Sequence, residues 1–227
     1  VRFVTEPSRL ADADLIVLPG SKATVADLGW LRRTGLADAV TAHVRRGMPL
    51  LGICGGYQML ASAIHDDVES RAGRVDGLGI IDMEIVFDEV KTVCRRSGTA
   101  LGHDVSGYEI HHGRVLRPAD RLAALTECAD GACEGVAGGP VVGTHWHGLL
   151  ENDGFRREIL RWAARYSGRD GFTVVPDTSF AAARAAQLDL LGDLVAEHLD
   201  TDALCGLLDR GAPDGLPVVP PGAPAPC

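Results

Sequence analysis

Residues 49–62, "PLLGICGGYQMLAS", set an apolar run directly against a glycine-flanked cysteine and a helix-like segment. An apolar strand that runs into Gly-x-Cys-Gly-Gly and then a helix has the form of a nucleophile elbow. Small neighbours permit a sharp, strained turn, and the side chain at its apex projects from the carboxyl end of a sheet. A helix starting there sets backbone N–H groups and a positive dipole end beside the sulfur of Cys54, which favours thiolate over thiol. The Gly55 N–H is placed to face a developing oxyanion. The plain alternative is a core cysteine followed by an ordinary glycine turn. Glycines at 52, 55 and 56 weigh against it.

Working outward, "ADLIVLPG" (13–20) is rich in branched apolar residues and stopped by Pro-Gly, so it reads as a buried strand, and residues 1–4 read as a shorter one. Residues 26–46 carry Leu28, Leu31, Leu36, Val40 and Val44 at near-helical spacing, with Gly47 as the C-cap. Strand, helix and strand in succession call for a parallel sheet. Beyond the elbow, 56–64 reads as helix, "GLGIIDMEIVF" (77–87) as one or two strands, and "SGYEIHHGRVL" (106–116) as another. "GPVVGTHWHG" (139–148) is a last strand ending in histidines. Helices follow over 154–166 and 180–210, the second broken near Asp200 and Thr201. The fold class is α/β, a flavodoxin-like doubly wound, mostly parallel sheet. The segments 1–4 and 15–18 are joined by about ten residues, too few for a crossover helix with its loops. They read as the second and third strands, with the central first strand upstream of Val1 and the domain, 1–210, N-terminally incomplete. Residues 211–227, "GAPDGLPVVPPGAPAPC", read as a disordered tail rich in Pro and Gly.

The 227 residues carry a net charge of −9, and the 22 basic residues are scattered, which argues against a nucleic-acid partner. No run of about 18 apolar residues suggests a membrane span. Six widely separated cysteines in a chain of this length read as free thiols in a reducing, cytoplasmic setting.

A thiol nucleophile needs a base. His145 and His147 stand at the end of a strand, where catalytic groups of α/β sheets collect, and His147, followed by Gly148, is the choice. A metal pair in "HWH" is the alternative, but Cys128 and Cys133 are spaced C-x4-C and no third and fourth ligand with zinc-like spacing is evident, so no metal is assigned. His111 and His112 point to opposite faces if extended, so at most one of them reaches a pocket. His43, His65 and His198 fall in helical segments and read as surface or satisfied residues. "LPGSKAT" (18–24) lacks the earlier glycine of a phosphate loop, which excludes nucleotide binding there. The N–H groups of Gly20 and Ser21 can still complete an anion hole beside Cys54, a plain turn being the alternative.

"GICGGYQML" resembles the elbow of triad glutamine amidotransferases. Together with "LPGSKATVADLGWLR", "GLGIIDMEIVF", "SGYEIHHGRV" and "GTHWHGLLENDGFRREIL", it resembles the amidotransferase domain of the cobyric acid synthase family, from Val1 to about Arg210. The resemblance implies glutamine hydrolysis. Cys54 attacks the carboxamide, Gly55, Gly20 and Ser21 hold the oxyanion, His147 protonates departing ammonia and then activates water, and Gln58 contacts the bound glutamine. It implies no cofactor in this chain, with ATP and Mg belonging to a synthetase domain that these residues do not include, and a corrinoid acceptor for the ammonia. The sequence departs from the broader class at Leu149, where a glutamate would orient the histidine. Cys54 and His147 would then work as a pair, unless Glu151 or Asp153 reaches the imidazole. A different acceptor, in cobyrinic acid a,c-diamide synthesis or amidation of a cell-wall lipid precursor, remains open, as does a catalytically silent binding module.

Overall fold

The computed structural model describes residues 1–117, 122–128 and 131–217. The chain falls into two compact units, Val1–Thr178 and a second from Ser179 onward.

The first unit is built on the strand that leads into Cys54. Strand β2 (Leu50–Ile53) lies between β1 (Ile16–Leu18) and β10 (Val141–Thr144), parallel to both, and β9 (Val136–Gly138) closes the far edge antiparallel to β10. Leu50 and Leu51 point to opposite faces and both are buried, which is why β2 reads as a continuous apolar run. On one face α1 (Thr24–Arg33) and α2 (Leu36–Arg45) bury Leu28, Leu31, Leu36 and Val40 against Ile16, Leu18 and Leu50. On the other, α4 (Asp153–Tyr166) packs Phe155, Ile159 and Trp162 against Leu51, Val142 and Trp146. This is the doubly wound, flavodoxin-like α/β arrangement. It puts the carboxyl ends of β1, β2 and β10 side by side.

A second sheet holds β3 (Ala63–Asp66), β4 (Gly73–Asp76), β5 (Glu84–Ala100), β6 (His103–Arg117), β7 (Thr126–Cys128) and β8 (Cys133–Glu134), in the order β4-β3-β5-β7-β8 with β6 also paired to β5. Its dominant feature is the long β5–β6 hairpin, whose ladder shifts register between Phe87 and Thr92.

Several local readings are corrected. Residues 1–4 form no strand: Phe3 is fully exposed, and among the described residues β1 pairs only with β2. A short extended segment without a ladder partner gains no hydrogen bonds to hold it. The helix of 26–46 is two helices because Gly35 adopts φ +77° between them; the second is capped by Arg46, and Gly47, expected as the cap, follows it at φ +79° as the left-handed residue that ends the helix. The helix after Cys54, α3, covers only Gly55–Met59, and His65 lies in strand β3. Leu60, Ala61 and Ile64 are all fully buried, a pattern that fits a core helix or a core strand equally.

In the second unit, α5 (Phe180–His198) and α6 (Thr201–Arg210) are separated at Leu199 and Asp200, each with a side-chain N-cap, from Ser179 and Asp200. Residues 211–217 carry neither helix nor strand, and the rest of the Pro/Gly-rich tail, 218–227, lies outside the described residues. No helix among the described residues is long and apolar enough to cross a membrane.

The packing of the elbow onto β1 yields a stability test. A Cβ added at Gly56 would lie 2.1 Å from the Leu18 carbonyl oxygen, a backbone atom that cannot step aside cheaply. Gly56→Ala should therefore destabilise the protein by about 1–3 kcal/mol, read as a lower urea midpoint. An unchanged midpoint would mean that the elbow is not seated on β1.

Candidate active site

Cys54 is the single residue between β2 and α3, and its backbone lies at φ +49°, ψ −112°. A non-glycine residue with positive φ is strained, and the surrounding bonds must impose it. The Cys54 N–H donates to Thr144 O at the end of β10 (2.7 Å), the Gln58 N–H donates back to Cys54 O (2.9 Å), and the Gly56 N–H donates to Pro19 O just beyond β1 (3.1 Å). All three strand ends thus grip the turn.

The turn opens on a cavity of about 360 Å³ whose walls include Gly20, Ser21, Cys54, Gln58 and His147. These are five of the six residues singled out from the sequence. The sixth, Gly55, backs onto Ser21: a Cβ there would sit 2.9 Å from the Ser21 nitrogen. Gly20 separates the two reactive groups, since a Cβ added to it would lie 3.0 Å from His147 Cε1 and 3.6 Å from Cys54 Cβ. The Ser21 hydroxyl is already committed to Asp27 in the first turn of α1, which leaves the residue's backbone, not its side chain, for the cavity. Gln58 is buried, with Oε1 accepting from Thr24 Oγ1 at 3.4 Å.

His147 is fixed from β6. Its N–H donates to Tyr108 O (2.8 Å), the Tyr108 N–H donates to His147 O (3.1 Å), and the two rings stack at 5.1 Å and 16°. Leu149, in the place of an orienting glutamate, is buried in the short 3-10 turn Leu149–Glu151. Asp153 is held by Arg156.

Electrostatics correct the thiolate reading. Burial pushes the Cys54 thiol up, against the smaller downward pull of the Gly55 N–H and the Lys91 charge, with Glu69 and Glu134 adding to the rise. The sulfur-bearing residue is only 5% exposed and α3 has five residues, so desolvation outweighs a very short helix dipole. His147 is pushed down, first by burial and then by the neighbouring His111 and His145. Both shifts favour the uncharged forms, so at neutral pH the site holds a neutral thiol beside a neutral imidazole.

His145, the rejected candidate, has a different place. Glu134 on β8 accepts from Thr144 Oγ1 (2.6 Å), the His145 N–H (2.8 Å) and His145 Nδ1 (3.1 Å). The ring is buried between Tyr57, edge-on at 4.9 Å, and His111, stacked at 4.3 Å. It lines a separate cavity of about 400 Å³ on the far side of His111, with Glu109 and Arg96. Although burial raises the Glu109 carboxyl, hydrogen bonds from His111, Arg96 and Cys94 outweigh it and hold it at about 2.

The strand-alternation argument for His111 and His112 fails: both line the Cys54 cavity. In the register shift of β5, residues 88–91 stand opposite His112, and such a bulge turns neighbouring side chains out of strict alternation. His43 is buried, with Nε2 on Pro49 O at 3.1 Å. Tyr108 and His111 are site residues that the sequence reading did not assign, although both stand in the quoted stretch "SGYEIHHGRV".

Residues 1–155 match the CobB/CobQ-like glutamine amidotransferase domain. A cobyric acid synthase of Saccharopolyspora erythraea is 65% identical over 98% of this chain and 43% of its own length. One of Rhodococcus jostii is 58% identical over 96% of this chain and 42% of its own. The chain thus spans less than half the length of these curated relatives. A solved structure described as a glutamine amidotransferase superposes with a TM-score of 0.57 at 19% identity, covering 73% of this chain and 85% of that one, a likeness of fold.

The raised thiol gives a measurable pH dependence. Alkylation of Cys54 by iodoacetamide in the unliganded protein should climb steadily between about pH 7 and 9 because the thiolate fraction is still growing there. A rate already level at neutral pH would mean that the thiol is ionised at rest.

Proposed function

The chain belongs to the CobB/CobQ-like glutamine amidotransferase family, and on that footing we propose that it is the glutamine-hydrolysing part of a cobyric acid synthase. The observation that carries the chemistry is the placement of the strained Cys54 and His147 against one glycine, Gly20, in one cavity.

The Cys54 thiol attacks the carbon of the glutamine side-chain amide while His147 takes the sulfur's proton. The negative charge that develops on the amide oxygen falls to the N–H groups of Gly55 and of the turn at Gly20 and Ser21. Gln58, one turn into α3, contacts the bound glutamine. His147 returns the proton to the departing nitrogen, ammonia leaves, and a γ-glutamyl thioester remains on Cys54. Water then attacks that carbon as His147 accepts its proton, and glutamate and the free thiol are restored. The low pKa direction of His147 suits the first step, which needs a neutral base, and stacking on Tyr108 supplies orientation where the class usually has a carboxylate.

Ammonia would be consumed by ATP-dependent amidation of carboxylates on a corrinoid acceptor in cobalamin biosynthesis. The relatives extend well beyond the region matched here, which supports a separate synthetase domain, and ATP and Mg would be held there.

In the intact synthase, Cys54→Ser should abolish glutamine-dependent amidation and leave ammonium-dependent amidation in place, since only the nitrogen source is lost. Equal loss of both would contradict the division of labour. His147→Ala should lower glutaminase kcat by about 10²–10⁴-fold, and His145→Ala by much less. The opposite order would make His145 the base.

A further inference from the structure

Three charged side chains that line the Cys54 cavity, Lys22, Glu69 and Lys91, take no part in that chemistry, and the last two flank it from the second sheet. Glu69 and Lys91 both line the cavity and are exposed at its mouth, and among the described residues neither has an ion-pair partner. They come from separate parts of the second sheet, and a local device holds the backbone of each.

Glu69 lies in the turn after β3. Asp66, at the end of that strand, is buried and accepts hydrogen bonds from the N–H groups of Val68, Glu69 and Ser70 and from Ser70 Oγ. Lys91 lies in the β5 bulge. There the Asp88 carbonyl meets His112 Nδ1 at 2.8 Å, the Asp88 carboxylate accepts the Val90 N–H at 3.0 Å, and Arg114 pairs with the same carboxylate at 3.3 Å. Bulges re-aim side chains, and this one turns a lysine toward the cavity. Both charges are felt at the sulfur, Glu69 raising and Lys91 lowering the Cys54 thiol.

A neutral thiol at the floor and unpaired charges of both signs at the rim suit a ligand with a neutral reactive end and a dipolar head. We propose that Glu69 binds the α-ammonium and Lys91 the α-carboxylate of an L-α-amino-acid amide whose side-chain carboxamide lies against Cys54. This rests on the glutaminase reading and assigns it two specificity-determining residues. A cavity with opposite charges at its rim selects a zwitterion over a simple amide, because a ligand lacking either charge leaves one of these groups without its counterpart.

The test is steady-state hydrolysis by the intact protein of three amides: L-glutamine, glutaramate, which lacks the α-ammonium, and L-glutaminamide, which lacks the α-carboxylate. Glu69→Gln should raise KM for L-glutamine about ten-fold, with a smaller change in kcat, and leave KM for glutaramate unmoved. Lys91→Met should do the same for L-glutamine and leave KM for L-glutaminamide unmoved. An unchanged KM for L-glutamine in both variants, or equal losses on all three substrates, would overturn the assignment while leaving the glutaminase reading intact. A rise produced by Lys22→Met, the other rim cation, in place of Lys91→Met would also overturn it. Wild-type protein that neither binds nor hydrolyses L-glutamine would overturn both.

Discussion

The site depends on one constrained residue. Cys54 is held at positive φ between a strand and a helix, a conformation that costs a non-glycine residue about 1–3 kcal/mol and persists only when its surroundings over-determine it. Here the surroundings are the ends of three parallel strands. Thr144 takes the Cys54 N–H, Pro19 takes the N–H of Gly56, and Gly56, two residues after Cys54, lets the backbone of β1 approach within a distance no side chain would tolerate. The same grip that strains the turn carries Gly20 and Ser21 from β1, and His147 from just beyond β10, to the sulfur. A sheet that failed to align those three strand ends would lose the proposed nucleophile, base and anion hole together.

Burial sets the protonation of the pair. Had the helix dipole prevailed, the resting site would be a thiolate beside an imidazolium. A five-residue helix at a nearly buried sulfur cannot outweigh desolvation, and the same desolvation discharges the histidine. Neutral thiol and neutral imidazole then need a bound electrophile before charge is worth separating. In the proposed reaction that electrophile is a carboxamide, whose oxygen would meet the N–H groups of Gly55 and of the turn at Gly20 and Ser21.

Much of this was legible in the sequence because it is local. An apolar run, a glycine-bracketed cysteine and a short helix are contiguous, so the elbow could be read directly, and the glycines marked the close contacts since made explicit at Leu18 and Ser21. His145 and His147 share the strand end, and the choice of His147 rests on its place before Gly148; it is the one of the two that lines the Cys54 cavity. The reading failed where a residue's state depends on distant partners. Residues 1–4 have strand-like composition but nothing to pair with, the ionisation of Cys54 follows from burial by the whole core, and the β5 bulge that brings both His111 and His112 to the cavity has no signature at the histidines themselves. The stacking of Tyr108 on His147 joins residues 39 positions apart and follows only from β6 reaching the end of β10.

The most direct test of the account is to incubate the intact protein with a diazoketone analogue of glutamine and map the adduct by mass spectrometry. A reagent that needs both a nucleophilic sulfur and a fitted amino-acid head should label Cys54 alone, and excess L-glutamine should protect it. Failure to label Cys54, or labelling spread over the exposed Cys133 and Cys205, would contradict the claim that this strained turn presents its thiol to a glutamine-shaped cavity.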